Sequence, residues 1–320
     1  RNLRQLIFYL KYFILIREWL KESQNEIPEY LNEIIFYLGQ NYNFIWQNTN
    51  QNLLFNGNQI NQNNDFDRYL SFHNYKFKNE SNEYGGYVIL KNKNVILSAD
   101  LGSSPEKKFS NDYQSGVLSF EIFFNNCKLI SNCGYFQNYK HQLNSISKST
   151  AAHSTMILDN RSSCKLKKDS DGIFKVDQEL KILKKSVTFE KKYWNITGSH
   201  DGYLKKYGVI HERKIEFFIE KNKFIGTDKL IKKKKFKSSN FEIRFHFEPG
   251  VKITKTQDEK SILVELENSG WKFSCKDHKI DVETGLYFGK KNSFVENQNI
   301  FISGLTQNED QEIVWEIIKI

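Results

Sequence analysis

Little in this chain could stiffen or cross-link it: its 320 residues include three prolines, four cysteines and a single methionine. So few prolines leave no proline-rich spacer or recognition tract. The cysteines, Cys127, Cys133, Cys164 and Cys275, form no CxxC pair and no zinc-finger spacing. They read as buried free thiols, with one disulfide left open for an exported protein. Long apolar runs are missing too. The helix-like stretch "LRQLIFYLKYFILIREWL" is interrupted by Arg4, Lys11 and Arg17 and lacks a small-residue cleavage site, so it reads as neither a membrane span nor a secretory leader. No fixed-period repeat occurs. The chain starts at Arg1 rather than at methionine, which suggests a fragment or a processed chain and leaves room for a signal peptide upstream.

What is present is apolar enough to fold. Hydrophobic residues make up 39% and aromatics 15%, sufficient for packed cores and too much for a disordered chain. The length has room for two domains. The formal net charge of +9 comes with an abundance of Lys, Asn, Ile and Phe, all residues with AT-rich codons. Codon composition is a simpler cause than a dedicated polyanion surface, because net charge speaks to association and solubility. The densest run, Lys232–Lys235 in "DKLIKKKKFKSSN", reads as a solvated loop. With no base-reading motif beside it, no nucleic-acid partner is expected. Asn195-Ile196-Thr197 fits a glycosylation sequon, which matters only in a eukaryotic secretory setting.

Two patterns divide the chain. Leu3, Leu6, Ile7, Leu10, Phe13 and Ile14 recur at helical spacing, and Ile27, Leu31, Ile34, Ile35 and Leu38 form a second stripe that begins near Pro28. The break "KESQNEIP" between them predicts an antiparallel helix pair. One pair cannot bury its own apolar faces, so it is expected to belong to a larger helical domain. Residues 41–82 are rich in Asn and Gln and read as a connection with at most a short helix around Asp65–Leu70. From Tyr84 onward come short strand-like runs such as "YGGYVIL", "NVILSADLG", "VLSFEIFF" and "EIVWEIIKI", separated by turn signals and no helices. This predicts a mainly β fold, a large antiparallel sandwich or sheet stack over residues 83–320, preceded by a helical segment over residues 1–82.

Four blocks, in order, resemble the C-terminal region of heparinase II/III-family proteins, which are polysaccharide lyases and their relatives. They are "DLGSSP" followed by "LSFEI"; "SNCGYF"; "STAAHSTMILDNRSSCKL"; and "GSHDGY…HERK" with "IRFHFEPGV". "LFNG" is similar to the segment that leaves the family's helical domain. The order of the blocks carries the likeness, which spans roughly residues 50–320. The resemblance implies the last helices of a truncated α/α toroid followed by stacked antiparallel sheets, with an acidic polysaccharide or oligosaccharide in the cleft between them. It also implies a bacterial, periplasmic or secreted setting, with a cytoplasmic one left open. The family reaction is β-elimination on a uronate-containing chain such as a glycosaminoglycan. A cation or hydrogen-bond donor neutralises the carboxylate, a Tyr or His removes the C5 proton, and a phenol or imidazole protonates the leaving oxygen.

The same resemblance marks departures. In the family, His-x-His-x-Asp precedes the Leu-Ser strand, the first His being catalytic and the second a ligand of a structural zinc. Those positions fall here on Asp112, Gln114 and Gly116, while the other two zinc ligands fall on Asn132 and His153. Neutral amides are poor zinc ligands, so no zinc and no other cofactor is expected, and Gln114, Asn132 and His153 are read as a vestigial site. His153 is expected to hydrogen-bond one of the two amides. Asp112 either bonds a turn or acts as a base with a raised pKa. His200, Tyr203 and His153 are the catalytic candidates. Asp112, Tyr113, Gln114, His211 and Arg213 are the substrate-binding candidates. "GSHDGY" is equally readable as a polar β-turn in which Tyr203 packs on a sheet. His246, alternating with Phe245 and Phe247, reads as a structural sheet histidine. Two functions follow: a lyase acting on an acidic glycan, or a non-catalytic or divergent glycan-binding protein with the same fold.

Overall fold

The helix pair forms where the apolar spacing places it. The first helix, α1 (Leu3–Glu22), buries Leu3, Leu10 and Ile14, and Asn2 caps it by accepting the Gln5 N–H at 3.1 Å. The second, α2 (Glu29–Tyr42), starts directly after Pro28 and buries Leu31, Ile35 and Gly39. Gly39 is needed there, since a Cβ would lie 2.1 Å from the Phe77 ring. A π-helical turn, Asn43–Gln47, extends α2 further than the sequence suggests, and α3 (Asp65–Phe72) is the short helix expected in the connection. The computed structural model describes residues 2–47, 53–59, 65–79, 81–235, 237–290 and 293–320.

The rest is built mainly from antiparallel sheets. A five-stranded meander runs Glu83–Tyr84, Tyr87–Lys91, Val95–Asp100, Phe120–Phe124 and Cys127–Ile130. An eight-stranded sheet has its centre at Gln311–Lys319, Lys223–Lys232, Val209–Phe218 and Tyr193–His200, with Ile182–Phe189 on one edge. Four further strands, including Asn240–His246 and Met156–Leu158, and the ribbon Lys165–Lys168/Phe174–Gln178 complete the described set. One hydrophobic core joins the three larger sheets, and in it Trp315 stacks on Phe120 (5.5 Å between centroids) and on Phe273 (5.9 Å). Lys184 and Lys185 on the edge strand give it the charge that discourages pairing with another chain.

The strand expected to begin at Val117 begins instead at Phe120. Leu118 adopts a left-handed backbone conformation (φ 62°), which breaks the alternation and folds residues 117–119 into a turn. A separate cluster of Leu3, Phe44, Ile45, Leu53 and Phe55 with Tyr87, Ile89, Ile96 and Phe123 fastens the helical segment to the meander. That contact creates a seam, and the loop of residues 105–113 lies along it.

Candidate functional site

Asp112 ties the two sides of the seam together. Its Oδ2 accepts from Asn2 Nδ2 at 2.5 Å and from Arg4 Nη2 at 3.0 Å, and its Oδ1 accepts from the Tyr135 hydroxyl at 3.0 Å. The carboxylate therefore latches the start of α1 to the sheets rather than bonding its own turn. Burial, with Asp112 beside it, pushes the Tyr135 phenol up and keeps it a donor. Next to this latch opens a cavity of ≈ 490 Å³, with Gln5 and Tyr9 of α1 on one wall and Lys108, Phe109 and Tyr113 on the other. Tyr9 and Phe109 are exposed aromatic faces, Lys108 is a largely exposed cation paired with Glu106 of the same lining at 3.2 Å, and the Arg4 side chain beside the cavity is 42% exposed.

Gln114, two residues on, is sealed. Its Oε1 accepts the Gly57 N–H at 2.9 Å, and its Nε2 donates to the Gly134 carbonyl at 2.9 Å and the Ser147 carbonyl at 2.6 Å. Asn132 Oδ1 accepts the Ser154 N–H at 2.9 Å, and its Nδ2 lies 3.4 Å from Glu121 Oε1. His153 packs its ring on Gly116, where a Cβ would lie 2.4 Å from it, and points Nδ1 at the Ser149 carbonyl, 2.9 Å away. The expected bond from His153 to Gln114 or Asn132 is thus replaced by one to the backbone, because both amide oxygens already serve backbone N–H groups. Burial pushes the His153 imidazole down to about 4. These residues do not fit a zinc ion: His153 Nε2 has no partner, but both amide oxygens are committed elsewhere. Among the described residues, no three His, Cys, Asp or Glu side chains stand together as a metal-holding group.

The "GSHDGY" and "HERK" residues meet inside the eight-stranded sheet. Along Val209–Phe218 burial alternates strictly, so His211 and Arg213 face inward with Ile215 and Phe217. The register sets His200 opposite His211 and Arg213 opposite Asp228. The Gly202 N–H donates to His200 Nδ1 at 3.1 Å, which leaves the ring proton on Nε2, 3.4 Å from His211 Nδ1. His211 Nε2 then donates to Asp228 Oδ1 at 2.6 Å. Arg213 grips both oxygens of Asp228 at 2.8 and 3.0 Å, and Trp315 Nε1 donates to Oδ2 at 2.8 Å. Arg213 Nη1 also donates to the Leu118 and Ser154 carbonyls, which fixes the turn at Leu118. Gly226 makes room for the indole, since a Cβ there would lie 1.9 Å from the Trp315 ring. Burial, then the neighbouring charges, push the His200 imidazole far down, and burial lowers that of His211. Burial opposes the charge on Asp228, but Arg213 and His211 outweigh it and hold the carboxyl well below the usual range.

The structure places the expected residues as follows. His200, His211 and Arg213 are brought together, but as a closed polar core whose donors and acceptors are turned on one another. Tyr203 donates its hydroxyl to the Met156 carbonyl at 2.8 Å, and burial pushes its phenol up. His153, His200 and Tyr203 do not line the seam cavity, although Tyr203 lines a second cavity between the Lys165–Lys168/Phe174–Gln178 ribbon and the Leu204–Tyr207 helix, and Gln114, His211 and Arg213 are buried. Of the expected residues, Asp112 and Tyr113 do line it. His246, facing Cys133 Sγ at 3.2 Å, is a buried sheet residue, and burial pushes its imidazole down to about 3. Arg4, Tyr9, Tyr135, Asp228 and Trp315 were not singled out by the sequence. Asp228 had a readable signal, since it shares inward parity with Phe224 and Leu230 in "FIGTDKLI".

Residues 78–316 match the family model described as "Heparinase II/III-like, C-terminal". The chain belongs to this family. Among solved structures, heparinase III superposes on this heparinase II/III-like chain with a TM-score of 0.78 at 14% identity, covering 100% of this chain and 53% of that one. The heparan sulfate lyase from Pedobacter heparinus gives 0.77 at 14% identity, covering 98% of this chain and 51% of that one. The present chain thus spans about half the length of these structures, and at such identity the likeness shows the fold. A comparison with curated proteins gave no match. Among the described residues, no helix is long and apolar enough to cross a membrane.

Proposed function

We propose that this heparinase II/III-like protein recognises an acidic, uronate-containing polysaccharide, and that the chain lies in the seam cavity between α1 and the loop of residues 105–113. The carrying observation is the chemistry of that cavity: aromatic faces from Tyr9 and Phe109 beside the cations Lys108 and Arg4, whose present partners, Glu106 at 3.2 Å and Asp112 at 3.0 Å, a uronate carboxylate would have to displace. Sugar rings stack on such faces, and carboxylates pair with such cations. The reading needs no zinc, because the Gln114, Asn132 and His153 side chains already make the cross-links a metal would supply.

β-Elimination is the second reading, and one observation favours it. The phenol of Tyr9 is half exposed on the cavity wall, close to where Arg4 and Lys108 would neutralise a uronate carboxylate. Its hydroxyl is then the group positioned for proton transfer, a role that His200, Tyr203 and His153 are too buried to fill. The test is to incubate full-length protein with several uronate polymers, following ultraviolet absorbance of the unsaturated product and, separately, binding. Binding that weakens in Arg4→Ala supports recognition at the seam. Absorbance that disappears in Tyr9→Phe while binding persists supports the lyase reading. Failure to bind any uronate polymer overturns both.

A further inference from the structure

We infer that a second cavity, on the other side of the 110–115 loop, is a subsite for an anionic sugar residue bearing a carboxylate or sulfate. This rests on the acidic-glycan reading but uses none of the seam residues. The cavity has a volume of ≈ 370 Å³ and lies among the Lys165–Lys168/Phe174–Gln178 ribbon, the segment of residues 160–164 and the short helix Leu204–Tyr207. Three cations line it, Arg161, Lys165 and Lys206, against one carboxylate, Glu179. Lys165 is neutralised by Asp177 at 2.6 Å. Arg161 and Lys206 have no ion pair among the described residues, so even against Glu179 the cavity keeps a net positive charge for a ligand.

Local structure holds those charges in place. Asp159 and Asn160 both have positive φ (47° and 53°), the two-residue turn that folds a hairpin back on itself, and Leu158 bridges to Arg161. Arg161 therefore leaves the turn beside Tyr207. Lys206 Nζ lies 5.0 Å from the centre of the Tyr207 ring, so aromatic face and cation form one unit. Gly202 lets the Leu204–Tyr207 turn pack closely on the segment of residues 160–164, because a Cβ there would lie 2.4 Å from the Ser163 carbonyl oxygen. Buried Lys148 links this cavity to the seam by donating to the Asn111 carbonyl at 2.5 Å and the Phe174 carbonyl at 2.7 Å. One wall residue of each cavity thus hangs from a single ammonium group.

The test measures binding of full-length protein to two probes, a heparan sulfate oligosaccharide and an unsulfated heparosan oligosaccharide of equal length. Arg161→Ala/Lys206→Ala is compared with wild type and with Arg4→Ala. Both substituted side chains are exposed, and an unchanged Tm confirms an intact fold. Loss of two surface charges predicts roughly three- to tenfold weaker binding and a shallower salt dependence. A larger loss for the sulfated probe identifies sulfate as the group bound, and an equal loss identifies the carboxylate. The charge reversal Arg161→Glu should weaken binding further. If the double variant and the reversal bind both probes as wild type does, the subsite is overturned, and the Arg4→Ala result alone then decides the seam. If wild type binds neither probe, both readings fall.

Discussion

Two carboxylates in this molecule, Asp112 and Asp228, are held in similar ways and end in different roles. Each bonds an arginine and at least one further side-chain donor. Asp112 lies at the seam with its side chain 18% exposed and its arginine partner 42% exposed, so water and a ligand can reach the pair. Asp228 and Arg213 are sealed in the sheet core, at 0% and 2%. The lesson is that accessibility, more than residue type, separates a binding surface from a scaffold. The family-like motif rich in His, Asp and Tyr is in the scaffold, and the plainer residues at the seam face solvent.

The strongest way to break this comparison is Asp228→Ala. It strands the Arg213 guanidinium in an apolar core, and a loss of about 3–5 kcal/mol is expected in denaturant unfolding. A change no larger than that of a surface substitution would show that the network is not structural. Acid probes the same core from another side. His153 titrates near 6.5 when unfolded and near 4 when folded, so the unfolded chain binds more protons between those values. Its contribution is complete above about pH 6.5 and falls by about 3 kcal/mol as pH drops to its folded value. Urea unfolding at pH 7 and pH 5 checks this, and His153→Gln should reduce the dependence, the remainder coming from His200, His211 and His246, whose imidazoles burial also lowers.

Gln114→Ala should cost less, about 2–3 kcal/mol, by leaving buried backbone groups of Gly57, Gly134 and Ser147 without partners. A chelator should leave the Tm unchanged, and a chelator-induced drop would argue for a resident metal. Asp112→Asn should have the smallest effect on stability, about 1 kcal/mol or less, because the Arg4 pair is screened by solvent. Its larger effect should be on glycan binding, as Arg4 loses the partner that positions it. Equal stability losses for Asp112→Asn and Asp228→Ala would dissolve the distinction between seam and core.

Much of this was legible in the chain. Leu10, Ile14, Leu31 and Ile35 drew the helix pair, Pro28 marked the start of α2, and the ordered blocks from "DLGSSP" to "IRFHFEPGV" gave the family and the mainly β fold. The strand start was misplaced by three residues because a left-handed Leu118 carries no local signal; Arg213, 95 positions away, helps hold it. The site was less legible. His211 and Arg213 looked functional as a motif, although the alternation of "VIHERKIEFF" already put them on the same face as Ile215 and Phe217.

Local periodicity and motif order, which are properties of neighbouring residues, were determined by the sequence by itself: helices, strand parity and family. Which polar groups reach solvent was decided only by the tertiary structure. Burial depends on contacts between residues far apart in the chain, such as Asn2 with Asp112 and Asp228 with Trp315, and no local pattern records them.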